Sequence, residues 1–137
     1  MANVLERQIT HDGWRNAVVK FTGVLDSSDA IEAPALRLTD LVNNEVRATL
    51  VGLRVDIVEW SLSQNLELVL EWNGTVPQQI FPIAGRGKIN AWNYGGYVPD
   101  RTRPGYDGSI NLRTQAYSPG TIANFSVQVE FIKLYQP

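Results

Sequence analysis

The chain has 137 residues, a net charge of −2, 44% apolar residues and 19% charged residues. That balance fits one compact domain with a buried core and excludes a disordered tail or a globally basic nucleic-acid footprint. With no cysteine and one histidine, disulfides, thiol nucleophiles and multi-histidine zinc sites are excluded as well.

Residues 1–14 read as an N-terminal arm, the part least tied to a core, and residues 15–137 as one β-sandwich domain. The arm carries Glu6, Arg7 and Asp12 and has no apolar run of signal-peptide length. No stretch approaches the roughly 18 apolar residues of a membrane span. The expectation is a soluble chain made in a cytoplasm, so the sequons at Asn73 and Asn124 read as chance. His11 sits beside Asp12 and Gly13 in the arm. It reads as a surface residue, because a catalytic imidazole needs rigid partners.

Alternation of period two dominates the rest. Ala17, Val19 and Phe21 share one face of a strand over 15–21. The next turn, Asp26-Ser27-Ser28-Asp29 with Glu32, reads as a solvated loop rather than a calcium site, since it lacks the spacing of a calcium loop. One short helical turn, capped by Thr39 or Asp40, competes with a plain turn over 39–45.

The segment 49–63 is long for one strand. Its apolar parity runs Leu53, Val55, Ile57 and then Val58, Trp60, Leu62. A regular strand cannot switch faces, so a bulge or bend is predicted near Ile57–Val58, and such a bend would let the strand serve both sheets. The short polar link 63–65 then predicts a hairpin with a strand over 66–72, where Leu66, Leu68, Leu70 and Trp72 share a face. Glu67 and Glu71 fall opposite, about 13 Å apart along a strand, too far for a glycosidase pair; they read as solvent-facing charges.

Six of the eleven glycines lie between Gly85 and Gly108, with little strand pattern beyond 88–92. Gly85-Arg86-Gly87-Lys88 lacks the spacing of a phosphate loop and reads as a tight basic turn. The stretch 85–113 holds five basic and two acidic residues together with four large aromatics. Arg86, Trp92, Tyr94, Tyr97, Arg101, Arg103 and Tyr106 are the candidate protein-interface residues, because arginine and aromatics are enriched at interface hot spots. The interface reading leads; a loop that packs on its own domain is the next, and the same mixture also suits a sugar platform or single-stranded nucleic acid. Short strands follow over 110–113 and 125–131, where Phe125, Val127, Val129 and Phe131 alternate with polar residues. Seven or eight strands and one long Gly-rich loop give an all-β fold: a two-sheet antiparallel β-sandwich or jelly roll, with an open barrel as the alternative.

Six runs carry a resemblance: residues 15–26 (RNAVVKFTGVLD), 53–61 (LRVDIVEWS), and the later pieces 70–73, 83–88, 94–97 and 105–110. Together they resemble small virion structural proteins of tailed bacteriophages, of the capsid decoration or cement type. The resemblance covers most of 15–134 and its motifs are structural. It implies a non-enzymatic protein on the outer capsid surface that binds the major capsid protein, often as a homotrimer. It implies no cofactor, no metal, and no nucleic-acid or membrane partner. A carbohydrate-binding module and a tail or connector component are the alternatives.

Overall fold

The computed structural model describes residues 3–42, 48–63, 66–118 and 120–136. They form nine strands: β1 (Val4–Asp12), β2 (Asn16–Leu25), β3 (Ile31–Leu36), β4 (Thr49–Leu62), β5 (Glu67–Trp72), β6 (Gln78–Ala84), β7 (Arg86–Asn90), β8 (Ile110–Gln115) and β9 (Ala123–Gln136). One antiparallel sheet has the order β1-β2-β9-β4-β7, the other β3-β8-β5-β6. The all-β, two-sheet expectation is met. From β2 onward the pairs β2–β9, β3–β8, β4–β7 and β5–β6 are nested inside one another.

The alternating residues face one core. Val19, Phe21, Val55, Val58, Val127, Val129 and Phe131 enter it from the larger sheet. Leu68, Leu70, Trp72, Ile110 and Leu112 enter from the smaller. The buried Trp72 indole N–H donates across the sandwich to the Leu53 carbonyl at 3.1 Å, so the one polar atom of a large core side chain has a partner.

Four expectations need correction. Residues 4–12 are not loosely tied: β1 pairs with β2 along its whole length, although only Leu5 and Ile9 pack against the core. An edge strand held mainly by backbone hydrogen bonds shows little apolar pattern. β4 and β5 do not form a hairpin, because β7 and β9 occupy both edges of β4 and β5 lies in the other sheet. The bulge exists, at Asp56 between the pairs Val55–Phe131 and Ile57–Glu130, but β4 stays in one sheet throughout. Glu71 is buried, because β5 lies between β8 and β6; the Arg113 guanidinium stands 3.6 Å from its carboxylate. Glu67 is exposed as expected.

The strands β1, β3 and β6 carry no clear sequence signal, and all three are edge strands. Pro34 in β3 and Pro82 in β6 fit such edges, where a missing N–H need not break a ladder. The helical turn reduces to a 3₁₀ turn over Leu38–Asp40, closed by the Asp40 carboxylate accepting the Arg37 N–H at 2.8 Å; positions 43–45 lie outside the described residues.

Lys133 is another buried charge. The inward parity of β9 continues past Phe131 to Lys133, whose side chain is 0% exposed. Its ammonium donates to Asp12 Oδ1 at 2.5 Å, the Gly13 carbonyl at 2.5 Å and the Val42 carbonyl at 2.6 Å. Asp12 Oδ2 also accepts the Val42 N–H at 2.8 Å. Three acceptors fill the three donors of the ammonium, which is what makes a buried charge tolerable. The end of β1, the segment after the 3₁₀ turn and β9 are thereby tied together. Lys133→Met strips the counter-charge from Asp12 and the donor from two carbonyls. The expected loss is about 3–5 kcal/mol in urea unfolding; a loss below about 1 kcal/mol would show that these contacts do not hold the three segments.

Candidate functional site

The seven candidate interface residues fall into distinct places. Arg86 opens β7 and is exposed. Trp92 and Tyr94 lie on a 3₁₀ turn, Ala91–Tyr94, at the other end of β7. They are 65% and 82% exposed, which is unusual for side chains of that size on a well-anchored turn. Tyr97 is half-buried against the core, and its backbone pairs with Val55 through two hydrogen bonds of 2.8 and 2.9 Å. Arg101 and Arg103 sit on an exposed turn, with Arg103 3.9 Å from Asp100. Tyr106 is half-buried: its hydroxyl donates to the Val51 carbonyl at 3.2 Å, and burial raises the phenol's pKa, with Arg101 lowering it in part.

The loop therefore divides in two. Its first part, residues 91–98, continues the edge of β4 beyond β7. Its second part, residues 99–109, lies across one end of the sandwich. There Gln78 exchanges hydrogen bonds of 2.9 Å with both the N–H and the carbonyl of Asp100. The Thr75 N–H donates to the Pro104 carbonyl at 3.0 Å. Tyr106 fills space left by Gly52, where a Cβ would fall 2.5 Å from its hydroxyl. Tyr97 and Tyr106 thus pack on their own domain, whereas Trp92 and Tyr94 face outward.

The aromatic turn is held from below. The bulge at Asp56 lets its carboxylate take a bidentate contact from Arg54, at 2.7 and 3.1 Å. Asp56 is 1% exposed and the pair raises the Arg54 pKa through the hydrogen bond. Gly96 sits directly on this pair with φ +80°, and a Cβ there would lie 2.5 Å from Asp56 Oδ1. Asn90 accepts the Trp92 N–H at 3.1 Å, and the Gly96 N–H donates to Ala91 at 2.8 Å. A two-aromatic turn thus sits on a fixed ion pair, which limits the entropy it would lose on binding.

Sequence reasoning missed Trp14, which is 64% exposed in the turn between β1 and β2, and Val98, which is 58% exposed. A tryptophan beside Gly13 between two strands was the available signal for the first. His11 lies 3.3 Å from Asn16 Oδ1 on the exposed edge. The 26–29 turn is organised by Asn3, whose Oδ1 accepts the Asp26 N–H at 3.0 Å, and by Asp29, which accepts the Thr114 hydroxyl at 3.0 Å. Among the described residues no three His, Asp or Glu side chains are placed to hold a metal ion, and no helix is long and apolar enough to cross a membrane. A cleft of about 330 Å³ opens between the sheets beside β1. Arg7 bridges that edge, donating to the Ala35 carbonyl at 3.2 Å and to Asp40 at 2.7 Å. No protein-family model, curated protein or solved structure matches the chain.

Two predictions follow from this geometry. Gly96→Ala combines a strained positive φ with a clash on the Arg54–Asp56 pair, so it should cost about 1–3 kcal/mol in thermal or urea unfolding; unchanged stability would mean the turn does not rest on that pair. The second concerns acid. Hydrogen bonds from the Thr102 hydroxyl and N–H hold the Asp100 pKa below its usual value. For Asp107, burial pushes upward, but hydrogen bonds from the Ser109 N–H and the Asn73 amide outweigh it and the pKa is lowered. Groups with depressed pKa values stabilise fully above the ordinary aspartate value, about 3.9, and lose that contribution as pH falls through the lowered value. Amides of 99–109 should lose hydrogen-exchange protection below about pH 4, ahead of the core strands; equal protection of loop and core down to pH 2 would refute this.

Proposed function

We propose that this chain is a jelly-roll structural protein of a tailed-phage head. It would bind the outer capsid surface and stabilise the shell by bridging major capsid subunits. The nested pairs β2–β9, β3–β8, β4–β7 and β5–β6 support the jelly-roll reading, since they are what a long antiparallel hairpin gives when it rolls into two sheets. On this reading β1 is an added edge strand. The fold also occurs in lectins, so it does not choose the function.

The observation that carries the interface is the pair Trp92 and Tyr94, outward-facing on a turn fixed by the Arg54–Asp56 pair. Arg101 and Arg103, exposed on the second part of the loop, are the charged members of the proposed interface. Exposed aromatics and arginine are the residue types enriched at binding hot spots. Binding only to the assembled shell stabilises that shell by mass action, and a homotrimer on a local three-fold of the lattice adds avidity. The protein is proposed to act without turnover, cofactor or membrane, as part of the virion after synthesis in the host cytoplasm.

The same exposed aromatics favour carbohydrate binding as a second reading, though only two of the four loop aromatics are free to stack on a sugar. The test compares the purified protein with its Trp92→Ala and Arg101→Ala variants for binding to expanded, undecorated heads. Each variant is expected to weaken binding tenfold or more for the tryptophan and severalfold for the arginine, at unchanged thermal stability. Normal decoration by both variants would remove the site assignment. Tryptophan fluorescence quenching by a glycan, without head binding, would select the sugar reading instead.

A further inference from the structure

The outward face of the larger sheet carries a second feature. Strand register places Lys20, Gln128, Glu59 and Lys88 side by side across β2, β9, β4 and β7. The neighbouring row is Thr22, Ser126, Ser61 and Arg86. Most of these side chains line one shallow depression, in which Lys20, Arg86 and Lys88 face a single carboxylate, Glu59. Among the described residues none of these three cations makes an ion pair, although Arg7, Arg54, Arg103, Arg113 and Lys133 all do. Glu6, paired with Thr22, and Glu130, two residues along from Gln128, bound the patch on its flanks.

We propose that this face docks an extended, acidic polypeptide segment of a partner protein. Charge complementarity sets the sign: a chain of net charge −2 gathers three unpaired cations in one depression. Spacing sets the shape. Lys20 and Lys88 are three strand intervals apart, roughly 14 Å, and carboxylates four residues apart on an extended chain are separated by about 13 Å. A segment crossing the strands would reach both lysines and straddle Glu59. A compact anion centred between them would meet that carboxylate. The Gln128 amide and the Ser61 and Ser126 hydroxyls can hydrogen-bond the backbone of such a segment, and Arg86 offers a planar fork to a carboxylate. Of the candidate interface residues only Arg86 belongs to this surface, so the inference does not depend on the proposed phage role.

The test is an NMR titration of the full chain, at low ionic strength, with a soluble peptide carrying aspartates every fourth residue between glycines and serines. A peptide of the same composition with its aspartates clustered serves as control. Binding should move the amides of Lys20, Ser61, Lys88, Ser126 and Gln128, and the spaced peptide should bind more tightly. Lys20→Ala and Lys88→Ala should each weaken it about two- to fivefold, and Glu59→Gln should strengthen it by a similar factor. Added salt at about 0.2 M should weaken it further. No shift at these amides would overturn the proposal. So would weaker binding by Glu59→Gln, which would point to a neutral polyol that needs the carboxylate. Concentration-dependent shifts of the same amides without peptide would assign the face to a second copy and overturn it too.

Discussion

The bulge at Asp56 is the constraint on which both the core and the aromatic turn depend. A regular strand of fourteen residues would keep one face inward, but the buried apolar residues of β4 change parity at Val51, between Leu50 and Leu53, and again at Asp56, between Val55 and Val58. One unpaired residue corrects the phase, so Val55 and Val58 both enter the core while β4 stays paired with β9 on either side. The residue that the correction leaves over is an aspartate. Its carboxylate has Arg54 beside it and Gly96 above it, and so becomes the seat of the turn that presents Trp92 and Tyr94. The same local irregularity thus serves packing and presentation.

Lys133 closes the opposite problem, that of an end. A sandwich is open where its strands stop, and the loops there must bring their polar backbone groups to partners. The buried ammonium collects the Gly13 and Val42 carbonyls and the Asp12 carboxylate, while Tyr135 donates to the Trp14 carbonyl at 2.6 Å. An apolar side chain at that position would fill the volume and leave those acceptors unsatisfied. Charge here does the work of a core residue, and it fixes β1, whose own side chains contribute little burial.

The strands that line the core were legible because one face buried and one face wet leaves a period of two. Residues 16–21 and 125–131 show it plainly. The edge strands β1, β3 and β6 were not legible, since an edge needs less apolar surface and admits proline. The loop's arginine-aromatic composition marked a special segment but could not sort its members. Tyr97 and Tyr106 look the same in sequence as Trp92 and Tyr94, yet the first two meet Val55, Val51 and Gly52 and are spent on packing.

By itself, the sequence determined that the chain is all-β, where its central strands run, and that β4 must be bulged. Those properties follow from local alternation, which each strand carries in its own residues. Tertiary structure decided which strands are neighbours, that β4 and β5 part into different sheets, and that Glu71 is enclosed. It also decided that Lys20, Gln128, Glu59 and Lys88 stand in one row. These depend on register between segments up to about a hundred residues apart, and register is set by how two whole faces pack, which no single segment encodes.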